Sequence, residues 1–157
     1  MALVAGCGGG SDPGGGRLST VEFRAQADAI CEQANAKIVS LGSEAAGGSP
    51  QAFVRGVERG LEAVSIELTA LGQLQPPAEM ASTFASALDR LDRRQVIVRR
   101  LRERYARDAA AELASDVELA ERAIAAARTK AKSLGLTECF DEDLSQTSAA
   151  PLTPVAP

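Results

Sequence analysis

Apolar residues recur along this chain at spacings of three and four rather than two, the signature of amphipathic helices and not of strands. Phe23, Ala27, Ile30, Ala34, Ile38 and Leu41 share one face of a first helix. Phe53, Val57, Leu61, Val64, Leu68 and Leu71 make the stripe of a second. Phe84, Leu88, Leu91, Val98, Leu101 and Tyr105 line a third, and Val117, Ile124, Ala127, Ala131 and Leu134 a fourth.

The polar positions between these stripes predict where each helix starts and stops. Ser19, with Glu22 three residues on, reads as a capping box that opens the first helix, and Gly42 as its C-cap. Residues 43–48 read as a loop. Ser49-Pro50 opens the second helix, the proline standing where its missing N–H costs nothing. Pro76-Pro77 breaks the chain, and the third helix restarts at about Ala78. A single helix from 78 to 134 would run about 85 Å, too long for a domain of this size, so a turn is expected within 107–116. Ser115 with Glu118 offers a second capping box there, and Gly135 ends the fourth helix. Four helices joined by short connections predict an all-α fold, an antiparallel four-helix bundle over residues 19–140. Residues 141–157 are acidic and then rich in Ser, Thr, Ala and Pro, and are expected to be a disordered tail.

Composition agrees with helices and narrows the chemistry. The 157 residues are 45% hydrophobic but only 3% aromatic, with no tryptophan, so alanine and leucine carry the apolar content. There is no histidine. This removes His-ligated metals, Ser-His-Asp and Cys-His nucleophiles and a histidine pH switch. The net charge of −4 argues against non-specific nucleic-acid binding. No metal or cofactor is expected.

The first residues read as an address. Leu3-Val4-Ala5-Gly6-Cys7 matches a bacterial lipobox, in which the cysteine becomes lipidated. Residues 1–7 are thus expected to be a signal ending at the anchor Cys7. It reads as truncated, because an apolar stretch of about 7–15 residues normally precedes the cleavage site. Residues 8–18 are a flexible Gly/Ser tether suited to holding a domain off a membrane. The alternative is a chance match in an Ala/Gly-rich terminus. No other run of about 18 apolar residues could span a membrane.

If Cys7 is lipidated, Cys31 and Cys139 remain as an even pair in an exported domain, where disulfides persist. A bridge between them would close a loop of about 108 residues and stabilise by about 4–5 kcal/mol through loop-closure entropy. In a cytosolic protein the same two would be free thiols. Catalytic use of either is not expected, since no histidine activates it and no Cys-x-x-Cys occurs. Val4-Ala5-Gly6-Cys7, the glycine tether, Ala27-Asp28-Ala29-Ile30-Cys31 and Leu134-Gly135-Leu136-x-x-Cys139 together resemble small, mostly uncharacterised lipoproteins of high-GC Gram-positive bacteria. The resemblance covers roughly residues 3–140. It implies export and a disulfide-closed helical domain, and no particular activity.

The third helix carries the densest charge: eight arginines against three carboxylates over residues 89–107. At 100° per residue Arg93, Arg100, Arg104 and Arg107 gather opposite the apolar stripe. Such a face could hold an anionic envelope polymer, phospholipid heads or an acidic protein, because guanidinium pairs phosphate and carboxylate bidentately. The preferred reading is a solvated face, partly neutralised by Glu112, Asp116, Glu118, Glu121 and Asp141-Glu142-Asp143, because charge runs on helices usually solvate. Nucleic acid is a poorer fit, with only Tyr105 interleaving the arginines. Glu58 with Glu62, and Glu118 with Glu121, are carboxylate pairs at helical spacing, read as exposed-face residues because paired-carboxylate catalysis needs a cleft. The leading expectation is a lipid-anchored, non-catalytic binding or structural module at the extracytoplasmic face of the cell membrane. The alternatives are an accessory or sensor subunit docking through the arginine face, an exported carboxylate enzyme, and a cytosolic helical protein.

Overall fold

The computed structural model describes residues 16–45, 49–108 and 114–140. Four helices account for most of these: α1 (Thr20–Ala45), α2 (Pro50–Gly72), α3 (Ala78–Arg107) and α4 (Ala114–Leu134), with no strand among the described residues. The anchor Cys7, most of the expected tether and the expected tail 141–157 lie outside the described residues.

Local chemistry accounts for three of the helix ends. At the start of α1 the Ser19 amide donates to Glu22 Oε2 at 3.0 Å and the Glu22 amide donates to Ser19 Oγ at 3.3 Å, the expected capping box. Ser49 caps α2 by accepting from the Ala52 amide, with Pro50 at the first helical position. α4 closes as a Schellman motif. Gly135 takes the left-handed conformation (φ 74°), its amide donates to Lys132 O at 3.0 Å, and the Leu136 amide donates to Ala131 O at 3.1 Å.

Two boundaries differ from expectation. α1 runs through Gly42 to Ala45. An isolated glycine costs an established helix only about 1 kcal/mol and does not by itself stop it. α3 ends at Arg107, inside the expected window, with Asp108 extended (φ −148°, ψ 101°). α4 begins at Ala114, which places Ser115 within the helix rather than at its cap.

Helices α1 and α2, α2 and α3, and α3 and α4 pack against one another. The core is concentrated where the N-terminal half of α1 meets the C-terminal halves of α2 and α4 and the first half of α3. Phe23, Ala27 and Cys31 meet Val64 and Leu71, Met80, Phe84, Ala87 and Leu91, and Ile124, Ala127, Ala131 and Leu134. Phe23 and Phe84 stack edge-on with ring centroids 4.9 Å apart.

The seam between α1 and α4 is closed at this end by the segment Gly135–Phe140. Arg24 Nε donates to Leu134 O at 2.7 Å. The Asp28 carboxylate accepts from the Thr137 and Glu138 amides at 2.9 and 3.1 Å. The Asn35 side-chain amide donates to Glu138 O at 2.7 Å. Cys31 and Cys139 form a disulfide, Cα–Cα 4.8 Å. Leu136 and Phe140 are buried beside it. Phe140 adopts φ 63°, which costs a residue with a Cβ about 1–2 kcal/mol, and is held by its buried ring and by Arg128 Nε donating to its carbonyl at 2.8 Å.

The other end is more open, although Leu41, late in α1, and Gly56, early in α2, are buried. No residue of α3 beyond Gln95 is buried, and the first buried residue of α4 is Ala120. The apolar stripes run on through Phe53, Val98, Leu101, Tyr105 and Val117, but these stay half-buried or exposed.

Candidate functional site

The charged features foreseen on α3 lie toward the open end, where salt bridges replace apolar packing. Arg102 pairs with Glu58 of α2, and Arg104 pairs with Asp116 of α4. Phe53 lies edge-on to Tyr105 at 4.9 Å. These contacts bind the last turns of α3 to the beginnings of α2 and α4. Each pair is part-exposed, so each contributes no more than about 1 kcal/mol.

The four arginines of the expected anion face do not behave alike. Arg93 is exposed and bridges Asp89 one turn earlier at 3.1 Å. Arg104 is half-buried and drawn toward α4 by Asp116. Arg100 and Arg107 are exposed and carry no ion-pair partner among the described residues. The face is therefore partly self-neutralised, with two guanidinium groups left to solvent. Asp116 was foreseen as a neutralising residue; Glu112 and Asp141–Asp143 lie outside the described residues.

Between α2 and α3 runs a surface groove of about 300 Å³ lined by Glu58, Glu62, Ser65, Gln95, Arg99, Arg102 and Glu103. The expected pair Glu58 and Glu62 lies on its wall, exposed, with Glu58 held by Arg102. Glu118 is likewise exposed and bridges Arg122 at 3.2 Å. The carboxylate pairs thus face solvent and opposite charges. Among the described residues no group of three or more acidic or cysteine side chains converges, and no helix is long and apolar enough to cross a membrane.

Three polar side chains escape the sequence reading: Glu67 of α2 and Arg94 and Gln95 of α3 are buried. Each of the two charged ones engages another group, although Glu67 Oε1 and Arg94 Nε carry no hydrogen bond. The register contained the signal. Glu67 stands three residues after Val64 and four before Leu71, and Arg94 three after Leu91 and four before Val98. Both therefore occupy core positions of the heptad, on two helices that pack together.

Glu22 is held below the usual glutamate value, chiefly by the Ser19 hydroxyl and then by the Ser19 amide. No family model, curated protein or solved structure matches the chain.

Proposed function

We propose that this chain is a cell-envelope lipoprotein, attached by acyl chains on Cys7 to the extracytoplasmic face of the membrane, whose helical domain is a non-catalytic binding or structural module. The observation that carries the reading is the Cys31–Cys139 disulfide. It consumes both cysteines of the bundle, leaves Cys7 alone in its lipobox, and belongs to a compartment where disulfides persist. The tether fits the same picture. Leu18 donates to Gln75 O at 2.8 Å and Arg17 to Pro76 O at 3.0 Å, so the chain enters the bundle at its closed end.

We infer an antiparallel order for the four helices. The start of α1 meets the ends of α2 and α4 through Leu18–Gln75 and Arg24–Leu134, and the end of α3 meets the starts of α2 and α4 through Arg102–Glu58 and Arg104–Asp116. On that order the arginine-bearing end stands about 30–45 Å from the tether, given 1.5 Å of rise per residue. Arg100 and Arg107 then stand on the part of the bundle remote from the anchor. This favours the second reading, an accessory subunit that docks an acidic protein or anionic polymer through those two side chains.

The test is intact mass of the protein from its native membrane fraction, with and without reductant and alkylation. Acyl mass on an N-terminal Cys7, with Cys31 and Cys139 alkylated only after reduction, is expected. An unprocessed Met1 with freely alkylated thiols would overturn the envelope reading.

A further inference from the structure

The outward face of α1 differs from those of the other three helices. α2 turns Arg55 and Glu62 outward, α3 Arg93 and Arg100, and α4 Glu118 and Arg122, all exposed. On α1 the residues opposite the buried Phe23, Ala27 and Ala34 are Val21, Ala25, Ala29, Glu32, Ala36 and Val39, every one exposed. Val21 and Val39, at 77% and 70%, are the two most exposed of the large apolar side chains described. Eighteen residues is five whole helical turns, so the two valines lie in one line about 27 Å apart, with alanines between them.

We propose that this face is a self-association surface, on which α1 of a second copy packs antiparallel about a two-fold axis. The pattern reads nearly the same in both directions about position 30. One operation sets Val21 against Val39 of the partner copy, brings the alanines of one helix over those of the other so that the backbones approach closely, and places Glu22 beside Lys37 on the same flank. Those opposite charges meet at both ends of the contact. A parallel arrangement would instead set Glu22 against Glu22 and Lys37 against Lys37. The face has no aromatic or cationic residue with which to enter a lipid surface, and its charge, Glu32, is acidic. Glu32 lies near the two-fold, where it faces its own counterpart and limits affinity. A single helix pair of this length covers less than the roughly 800 Å² per partner of a standard interface, so the association is weak and concentration-dependent.

The test is sedimentation equilibrium of the full chain in a Cys7→Ser background, from about 10 µM to about 1 mM, the range in which an association this small registers. A monomer–dimer equilibrium is expected. Val39→Glu should raise its dissociation constant at least about tenfold, because it sets an unpaired charge in the apolar contact, with the circular dichroism spectrum and thermal midpoint unchanged. Glu32→Ala should tighten it. Geometry has its own readout. Ala29→Cys should cross-link the dimer, its Cα atoms being offset by about 3 Å along the helix, whereas Ala25→Cys, offset by about 15 Å, should not. A monomer at every concentration overturns the proposal. So does a dimer indifferent to Val39→Glu, a cross-link at Ala25 in place of Ala29, or binding to phosphatidylglycerol vesicles through Val21 and Val39 without self-association.

Discussion

The two ends of the bundle are made from the same kinds of helix and held together by different physics. At the closed end Phe23, Phe84, Leu71, Leu91 and Leu134 interdigitate, and a six-residue segment sewn to α1 by hydrogen bonds with Asp28 and Asn35 and by a disulfide seals the gap beside α4. At the open end the corresponding stripe residues Phe53, Leu101, Tyr105 and Val117 are only partly covered, and Arg102–Glu58 and Arg104–Asp116 do the joining. Burial of an aliphatic or aromatic side chain contributes about 1.5–3 kcal/mol, whereas a part-exposed ion pair contributes at most about 1 kcal/mol. Stability is therefore concentrated at one pole, and the other carries more of the charge.

The widest test of that contrast is a matched pair of substitutions. Phe23→Ala should destabilise by about 3–5 kcal/mol in urea unfolding, because it leaves a cavity where the ring is wholly enclosed. Phe53→Ala, at a ring 42% exposed, should cost about 1 kcal/mol or less beyond the lost stacking on Tyr105. Equal losses would erase the distinction between the ends. Cys139→Ser comes next, with an expected loss of about 2–5 kcal/mol, since it reopens a loop of 108 residues and frees the sealing segment. Amide exchange should then rise first in residues 135–140 and the facing turns of α1, and not around Tyr105.

Gly135→Ala should cost about 1–2 kcal/mol: the backbone there is left-handed, and a Cβ would lie 2.8 Å from the Arg24 guanidinium. Thermal unfolding of the variant, with and without Arg24→Ala, separates the two contributions. The smallest effect concerns pH. Because Glu22 is held below its usual value, its contribution to the α1 cap is complete above the value it has in the unfolded chain and is lost as pH falls through the folded one. Fraying of residues 19–22 on acidification, followed by NMR and abolished in Glu22→Gln, is the expected sign.

What the sequence revealed about this contrast divides along physical lines. Periodicity located all four helices and their stripes, because a 3.6-residue repeat reports which side of a helix is apolar. It does not report how far along the axis that side finds a partner, so Phe53 and Val117 looked equivalent to Phe23 and Ile124. Capping signals placed Ser19, Ser49 and Gly135 correctly because cap and capped groups are neighbours in the chain. Gly42 misled because a glycine permits a stop without requiring one. At the arginine face, helical angle identified the outward side chains and charge pointed to Asp116 as a neutralising residue, but which arginine it pairs with, Arg104, is supplied by tertiary structure. Glu67 and Arg94 escape such a reading for a chemical reason: a charged side chain adds nothing to an apolar stripe even where it occupies a core register position.

The disulfide has a topological consequence as well. Joining residue 31 to residue 139 closes a single ring that takes in the later part of α1 and the whole of α2, α3 and α4. One cut of the backbone anywhere between those residues opens the ring without dividing the molecule. A nicked chain would keep its mass, plus one water, until a reductant reached a bridge whose two cysteines are both buried.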